Sequence, residues 1–304
     1  MRAPATLSRA DESTAPGAAA RPTVSQAAIA WRSLRRDRLA LAGLAVVLLA
    51  VLGAVFAPFL APHDPYGVNA AARLLPPGTP GHLLGTDDIG RDIASRLLWG
   101  GRLSLWVAAV PVLVSGTLGL ILGLVSGYAR GWVDQVLMRA LDVVLAFPSI
   151  LLAIGIAAAL GPGLQNVVMA IVVVSVPIFA RLVRGLVLSV REREYVEAAR
   201  CLGASTARIV LRHVLPNVLP TVIVYATLET GRVIIFAAGL SFLGLGVQPP
   251  AADWGAMLAA GRQVLAVAPH VATIPGLVIF VVTLGFNLLG DGLRDALDPR
   301  LRGT

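Results

Sequence analysis

Three groups of ionisable side chains are spaced so that they could act together. Asp87, Asp88 and Asp92 fall within one short stretch together with Arg91, and carboxylates gathered in this way are the raw material of a cation site. Glu229 and Arg232 stand three residues apart in a run that is otherwise uncharged, so on a helix they share a face and can pair. Glu197 lies among the alternating acids and arginines of Arg191-Glu192-Arg193-Glu194 and Arg200, charges suited to pairing with another protein. The remaining chemistry is sparse. His63, His82, His213 and His270 are too scattered to suggest a zinc site by spacing, and the single Cys201 allows no intrachain disulfide. No metal is expected on these grounds. All 25 basic residues are arginines, and without a lysine the chain can form neither a phosphate-binding P-loop nor a Schiff base. Neither H-E-x-x-H nor G-x-S-x-G occurs, so an intramembrane hydrolase is not supported and the chain is not expected to be an enzyme.

The elements that must position these groups are membrane spans. Hydrophobic residues make up 57% of the 304 and charged residues 14%, with mean hydropathy +0.80, against about 45–50% and about 25% in soluble domains. Uncharged runs at residues 39–62 and 103–129 each suffice for a span. A 38-residue charge-free stretch, 143–180, is split by Gly161-Pro162-Gly163 into the two arms of a hairpin, spans three and four. A fifth span follows Pro216 to about residue 245, and a sixth covers about 271–289. The expected architecture is all-α and polytopic, with six transmembrane helices. Residues 1–30 have no apolar periodicity and no signal-peptide core, and read as a disordered cytoplasmic tail. Residues 31–102 form an N-terminal membrane segment with its outer loop, 103–290 the main membrane domain, and 291–304 a cytoplasmic tail.

Under this topology 19 of the 25 arginines fall inside, five outside and one within a span. The positive-inside rule then places both termini in the cytoplasm. The net charge of +8 is explained by position relative to the bilayer, without a nucleic-acid partner.

Between spans four and five, residues 191–216 read as two short helices. Acids lie near the start of the first, Gly203 stands where a helix C-terminus favours a left-handed residue, Ser205 can cap the second, and Pro216 follows its last turn. The result would be a short bent element, with Ala198 and Ala199 leaving its surface flat for close approach.

Glu197-Ala198-Ala199, with Gly203 six positions after the glutamate and Leu215-Pro216 downstream, resembles the EAA loop of importer-type ABC transporter permeases. The resemblance implies that this loop docks into a cytoplasmic ATPase, with Glu197 in contact and Gly203 setting the bend. His213 departs from the usual pattern by standing where an isoleucine is common. A second stretch, Gly85-Thr86-Asp87-Asp88-Ile89-Gly90-Arg91-Asp92, is preceded by His82. With 240–246 (LSFLGLG) and the terminal Asp298-Pro299-Arg300, it resembles the C-type permease subunit of the dipeptide/oligopeptide/nickel importer family. That resemblance covers about residues 31–302. It implies the type I ABC importer permease fold, a second permease as heterodimer partner, two P-loop ATPase subunits holding ATP and Mg, an extracytoplasmic substrate-binding protein, and a bacterial inner-membrane location. No cofactor would bind to this chain itself. Dipeptides or oligopeptides are the first expectation for cargo, and nickel the alternative.

In the external motif the acids lack an EF-hand pattern, and Arg91 and Arg96 are expected to neutralise them, which favours packing or receptor contact over metal ligation. Gly119, Gly123 and Gly127 mark one face of span two for close helix approach. Pro111, Pro148, Pro177 and Pro275 fall within spans and should bend them. Glu229 and Arg232 are candidates for the translocation pathway, where they would meet charged peptide termini; a deeper position would make them a pin for the bundle. A rival reading is an ion-driven secondary transporter with Glu229 or Asp142 as coupling carboxylate, but no internal repeat is visible.

Overall fold

The computed structural model describes residues 34–297 apart from Arg36. The expected N-terminal tail, residues 298–304 and the Asp298-Pro299-Arg300 motif lie outside the described residues. Within them the fold is mostly helical, and the connection from span one to span two carries turns and two isolated β-bridges. Five helices are long and apolar enough to cross a membrane, and a bent helix pair makes a sixth crossing if taken as one span.

Helix α1 (Arg38–Val55) starts at Asp37, whose carboxylate accepts from the Leu39 and Ala40 N–H groups and satisfies donors that the first turn leaves free. A single turn, α2 (Ala57–Leu60), completes the first crossing. Helix α3 (Ile93–Ala129) begins ten residues before the expected second span. The charges that argued against helix there are satisfied locally. Asp92 caps the start through Ser95 N, and the Arg96 guanidinium donates to the Pro65 carbonyl at 3.1 Å and lies 3.6 Å from Asp87.

The third span, expected from residue 143 onward with a bend at Pro148, starts earlier and is broken rather than gently bent. It consists of α4 (Gly131–Leu145) and α5 (Ser149–Leu160), bent by 83°. Proline at 148 removes an N–H and disfavours helix at the preceding Phe147, so the break is sharp. The Gly161-Pro162-Gly163 turn does separate spans three and four, and α6 (Leu164–Arg191) forms the fourth.

The two short helices of the loop are α7 (Glu194–Cys201) and α8 (Thr206–Ile209). Pro216 does not follow a helix end, as expected from sequence. The chain instead widens into a π-helical turn over Val210–Val214 and continues directly into α9 (Leu215–Phe242). Leu215 N–H donates to the Val210 carbonyl. The wide turn lets the helix pass a residue that cannot donate, without a break. A short helix, α10 (Trp254–Arg262), precedes the last span, α11 (His270–Leu297).

The α3–α6 seam is the most extensive helix contact in the fold. Cβ atoms placed on Gly119, Gly123 and Gly127 would lie 2.3, 2.5 and 2.8 Å from the Cβ atoms of Phe179, Val183 and Val187. Only hydrogen fits there. In lipid, where apolar burial gives helices little reason to associate, such close backbone approach supplies the packing energy. At the head of the bundle Ser104 donates to Asp253 at 2.7 Å, and the Trp254 indole donates to the Leu97 carbonyl at 2.9 Å, locking α10 onto α3.

Candidate functional site

The loop between α6 and α9 is built as a rigid bend. At the end of α7, Gly203 N–H donates to the Arg200 carbonyl at 3.0 Å and Ala204 N–H to the Ala199 carbonyl at 3.1 Å. This is a Schellman closure, which requires a left-handed residue at its pivot, and Gly203 has φ +77°. Ser205 Oγ then accepts from Arg208 N–H and starts α8. Val196, Ile209 and Val214 are fully buried beneath the loop, so the bend is seated on the bundle. Its outer face carries Glu197, Ala198 and Gly203, all exposed, beside Leu202 at 88% and Leu211 at 63% exposure. His213 is half-buried, its ring 6.4 Å from that of Tyr195. Pro216 is exposed at the junction with α9. The loop thus presents exposed leucines and small residues among the charges of Glu194, Glu197, Arg200, Arg208 and Arg212, and its second limb runs into a membrane helix without interruption.

The same end of the bundle is cross-tied by charge. Arg184 on α6 grips Asp134 on α4 with two 2.6 Å hydrogen bonds. Arg181 reaches Asp142 at 2.6 Å, Arg130 reaches Glu192 at 3.0 Å, and Arg191 donates to the Tyr128 carbonyl at 2.8 Å. Asp142, engaged by Arg181 and 46% exposed, has none of the enclosure that a proton-coupling carboxylate needs.

Within the membrane helices, Glu229 and Arg232 pair as their spacing predicts. Arg232 Nε donates to Glu229 Oε2 at 2.7 Å and Nη2 to Oε1. Glu229 also accepts from Ser175 Oγ on α6 at 3.3 Å. The two partners are not equivalent: the Glu229 side chain is 3% exposed and the Arg232 side chain 42%. The carboxylate is consumed inside the protein, whereas the guanidinium keeps an open edge, with Phe236 packed 5.7 Å from Arg232 Cζ.

The motif at 85–92 folds as a compact knot at the opposite end. Asp87 accepts from the N–H groups of Ile89 and Arg91 and from Arg91 Nε at 2.6 Å, so Arg91 and Arg96 neutralise it as expected. Asp88 lies 4.0 Å from Arg91 Nη2. Thr86, fully buried, donates to the Ala72 carbonyl and accepts from Leu75 N–H. A Cβ on Gly90, at φ +83°, would sit 1.9 Å from the Asn69 carbonyl oxygen. Gly85 is similarly enclosed, a Cβ there falling 2.3 Å from the Leu75 oxygen. These residues hold the first inter-span connection against the start of α3.

Asp92 departs from the expected arginine pairing. It caps α3, and its other oxygen faces two imidazoles: His82 Nδ1 at 3.0 Å and His63 Nδ1 at 3.9 Å. The histidines judged too scattered are therefore brought together, two of them with one carboxylate. Sequence spacing could not reveal this, because their segments meet only when the connection folds back on α3. The Ser104–Asp253–Trp254 lock was likewise unforeseen; 149 residues separate its two polar ends.

Residues 119–303 match the family described as binding-protein-dependent transport system inner membrane component. Residues 25–77 match the N-terminal TM domain of oligopeptide transport permease C. The glutathione transport system permease protein of Pectobacterium atrosepticum is 47% identical over 272 residues, covering 90% of each chain. The dipeptide transport system permease protein of Alkalihalophilus pseudofirmus is 48% identical over 273 residues, again 90% of each. A chain of the MetNI methionine ABC transporter, in an inward-facing conformation, superposes with TM-score 0.55 at 20% identity, covering 66% of this chain and 96% of that one.

Proposed function

The chain belongs to the binding-protein-dependent transport system inner membrane components, in the branch with the oligopeptide permease C N-terminal segment, and from that premise we propose that it is a peptide-import permease subunit. It forms half of a translocation pathway through the bacterial inner membrane, together with a second, related permease chain. Short peptides are its cargo, in keeping with relatives named for dipeptide and glutathione transport. The nickel alternative finds no support among these relatives. Substrate arrives on an extracytoplasmic binding protein, and two cytoplasmic P-loop subunits bind and hydrolyse ATP with Mg. This chain supplies no catalytic group. Both its termini lie in the cytoplasm, as the distribution of arginines favours.

One observation carries the coupling role: the loop from Glu197 to Pro216 is a seated bend whose second limb is continuous with α9 through the π turn. A displacement of Leu202 and Glu197 by a docked ATPase is transmitted into a membrane helix because the Schellman closure at Gly203 ties the first limb to the second and Val196, Ile209 and Val214 seat both on the bundle. Alternating access then follows as a rigid-body rocking of packed helices. In the pathway, Arg232 offers its open edge to the carboxylate terminus of a peptide, and Glu229 holds it in place.

Cys201 provides the test. It is the only cysteine in the chain and is exposed beside Leu202. A thiol-directed photo-crosslinker attached there, in membranes containing the whole transporter, should trap the ATPase subunit in the wild type and lose it in Glu197→Arg. Capture of another protein in place of the ATPase would refute the assignment of this loop.

A further inference from the structure

His63, His82 and Asp92 converge on one point from three separate segments: the chain just after α2, the middle of the first inter-span connection, and the cap of α3. Each offers one ligand atom, and these atoms lie within 4.8 Å of one another. Asp92 Oδ1 stands 3.0 Å from His82 Nδ1 and 3.9 Å from His63 Nδ1. Ligands placed tetrahedrally around an ion at 2.0–2.1 Å are about 3.4 Å apart, and the two distances bracket that value. The longer one exceeds a hydrogen bond, so His63 is aimed at the carboxylate without being bonded to it. A cation between them would satisfy both.

The surroundings match what metal ligands require. Asp92 has a fully buried side chain, and its second oxygen accepts from Ser95 N–H and Oγ–H, each at 2.8 Å. That leaves Oδ1 turned to the imidazoles. Ser95 Oγ in turn accepts from the His63 backbone N–H at 3.0 Å, so one hydroxyl orients the Asp92 carboxylate as an outer-shell partner would and anchors the backbone of His63 beside it. The imidazole rings stack at 4.7 Å with 27° between their planes, so binding would turn the exposed His63 ring to bring its in-plane lone pair onto the ion. His63 is 41% exposed, which leaves an approach for the ion and room for a water as fourth ligand.

We propose that His63, His82 and Asp92 form a site for a borderline divalent transition metal of the zinc class. Two imidazoles and one carboxylate suit Zn2+, whereas hard cations prefer all-oxygen shells. The bound ion would tie the end of the first span, the inter-span connection and the cap of α3 into one unit, joining the N-terminal segment to the remainder of the permease. Its role is that of a staple, independent of the peptide cargo.

The test uses the full-length chain purified with a tag free of histidine, stripped with chelator, and titrated with Zn2+ against a chromophoric competitor. One ion per chain is expected. His63→Ala and His82→Ala should each weaken binding by at least about 100-fold, the upper range for losing even an outer-shell partner, while His213→Ala binds as wild type. Since His82 also hydrogen-bonds the α3 cap, the exposed His63 is the decisive variant: Zn2+ should raise the melting temperature of wild type and leave that of His63→Ala unmoved. Absence of saturable binding, or equal affinity in wild type and His63→Ala, would overturn the site.

Discussion

Ala204 donates its N–H to the Ala199 carbonyl at 3.1 Å, and this one bond folds the exposed loop into a lever. It spans Gly203, whose φ of +77° costs a side-chain-bearing residue about 1–2 kcal/mol. A Cβ at this position meets no neighbour, so the penalty is purely conformational. Gly203→Val should therefore lower peptide-stimulated ATP hydrolysis of the assembled transporter severalfold without reducing membrane insertion. Gly203→Asn, which tolerates the left-handed region, should retain most of it.

Charge reversal at the loop edge separates docking from folding. Glu197 is exposed, so Glu197→Arg is expected to leave the melting temperature of the isolated chain unchanged. Co-purification of the ATPase subunits should be lost. Quantitative mass spectrometry of the affinity-purified complex reads both effects.

The α3–α6 seam admits no side chain at Gly123, where a Cβ would fall 2.5 Å from that of Val183. Gly123→Leu should force the two helices apart, at a cost of at least about 1–3 kcal/mol, visible as a lowered melting temperature and poor yield in detergent. Gly155→Leu, at a position with nothing within 4 Å, serves as control and should be neutral.

Arg232 is the half of the membrane ion pair that remains open, and it is the side chain assigned to the peptide carboxylate. Hydrogen bonds to charged groups are worth about 1.5–3 kcal/mol, so Arg232→Gln, made together with Glu229→Gln so that no buried carboxylate loses its counter-ion, should reduce uptake of free-carboxylate peptides at least about tenfold. Uptake of C-terminally amidated peptides should change little in the same variant. Equal loss for both would mark the pair as a structural pin.

Much of this architecture is legible from sequence because its causes are local. Charge-free runs announce spans, and Gly119, Gly123 and Gly127 recur on one helical face whatever they pack against. Glycine at 203 and serine at 205 carry the loop bend in their own backbone and hydroxyl chemistry. Features that depend on distant partners were not legible. Arg96 is legible as a partner for the motif's acids, but not as part of a helix that begins ten residues before the uncharged run, with the Pro65 carbonyl as its second partner. Pro216 reads as a stop, yet the π turn over Val210–Val214 carries the helix past it. Pro148 signals a bend, but its 83° sharpness is shared with the α4–α6 salt bridges that hold α4 aside. The meeting of His63 and His82 at Asp92 has no sequence period at all.

The central claim is that this chain works as one permease half driven by separate ATPases, and its most direct measurement is uptake by proteoliposomes. The tagged chain is purified from native membranes in mild detergent, its stoichiometric partners are identified by mass spectrometry, and accumulation of a labelled dipeptide is followed with and without ATP. The account predicts recovery of a second permease and P-loop ATPases, with accumulation that requires ATP and the binding protein and that is abolished by Glu197→Arg. Recovery of the chain alone, still accumulating peptide under an ion gradient without ATP, would contradict it.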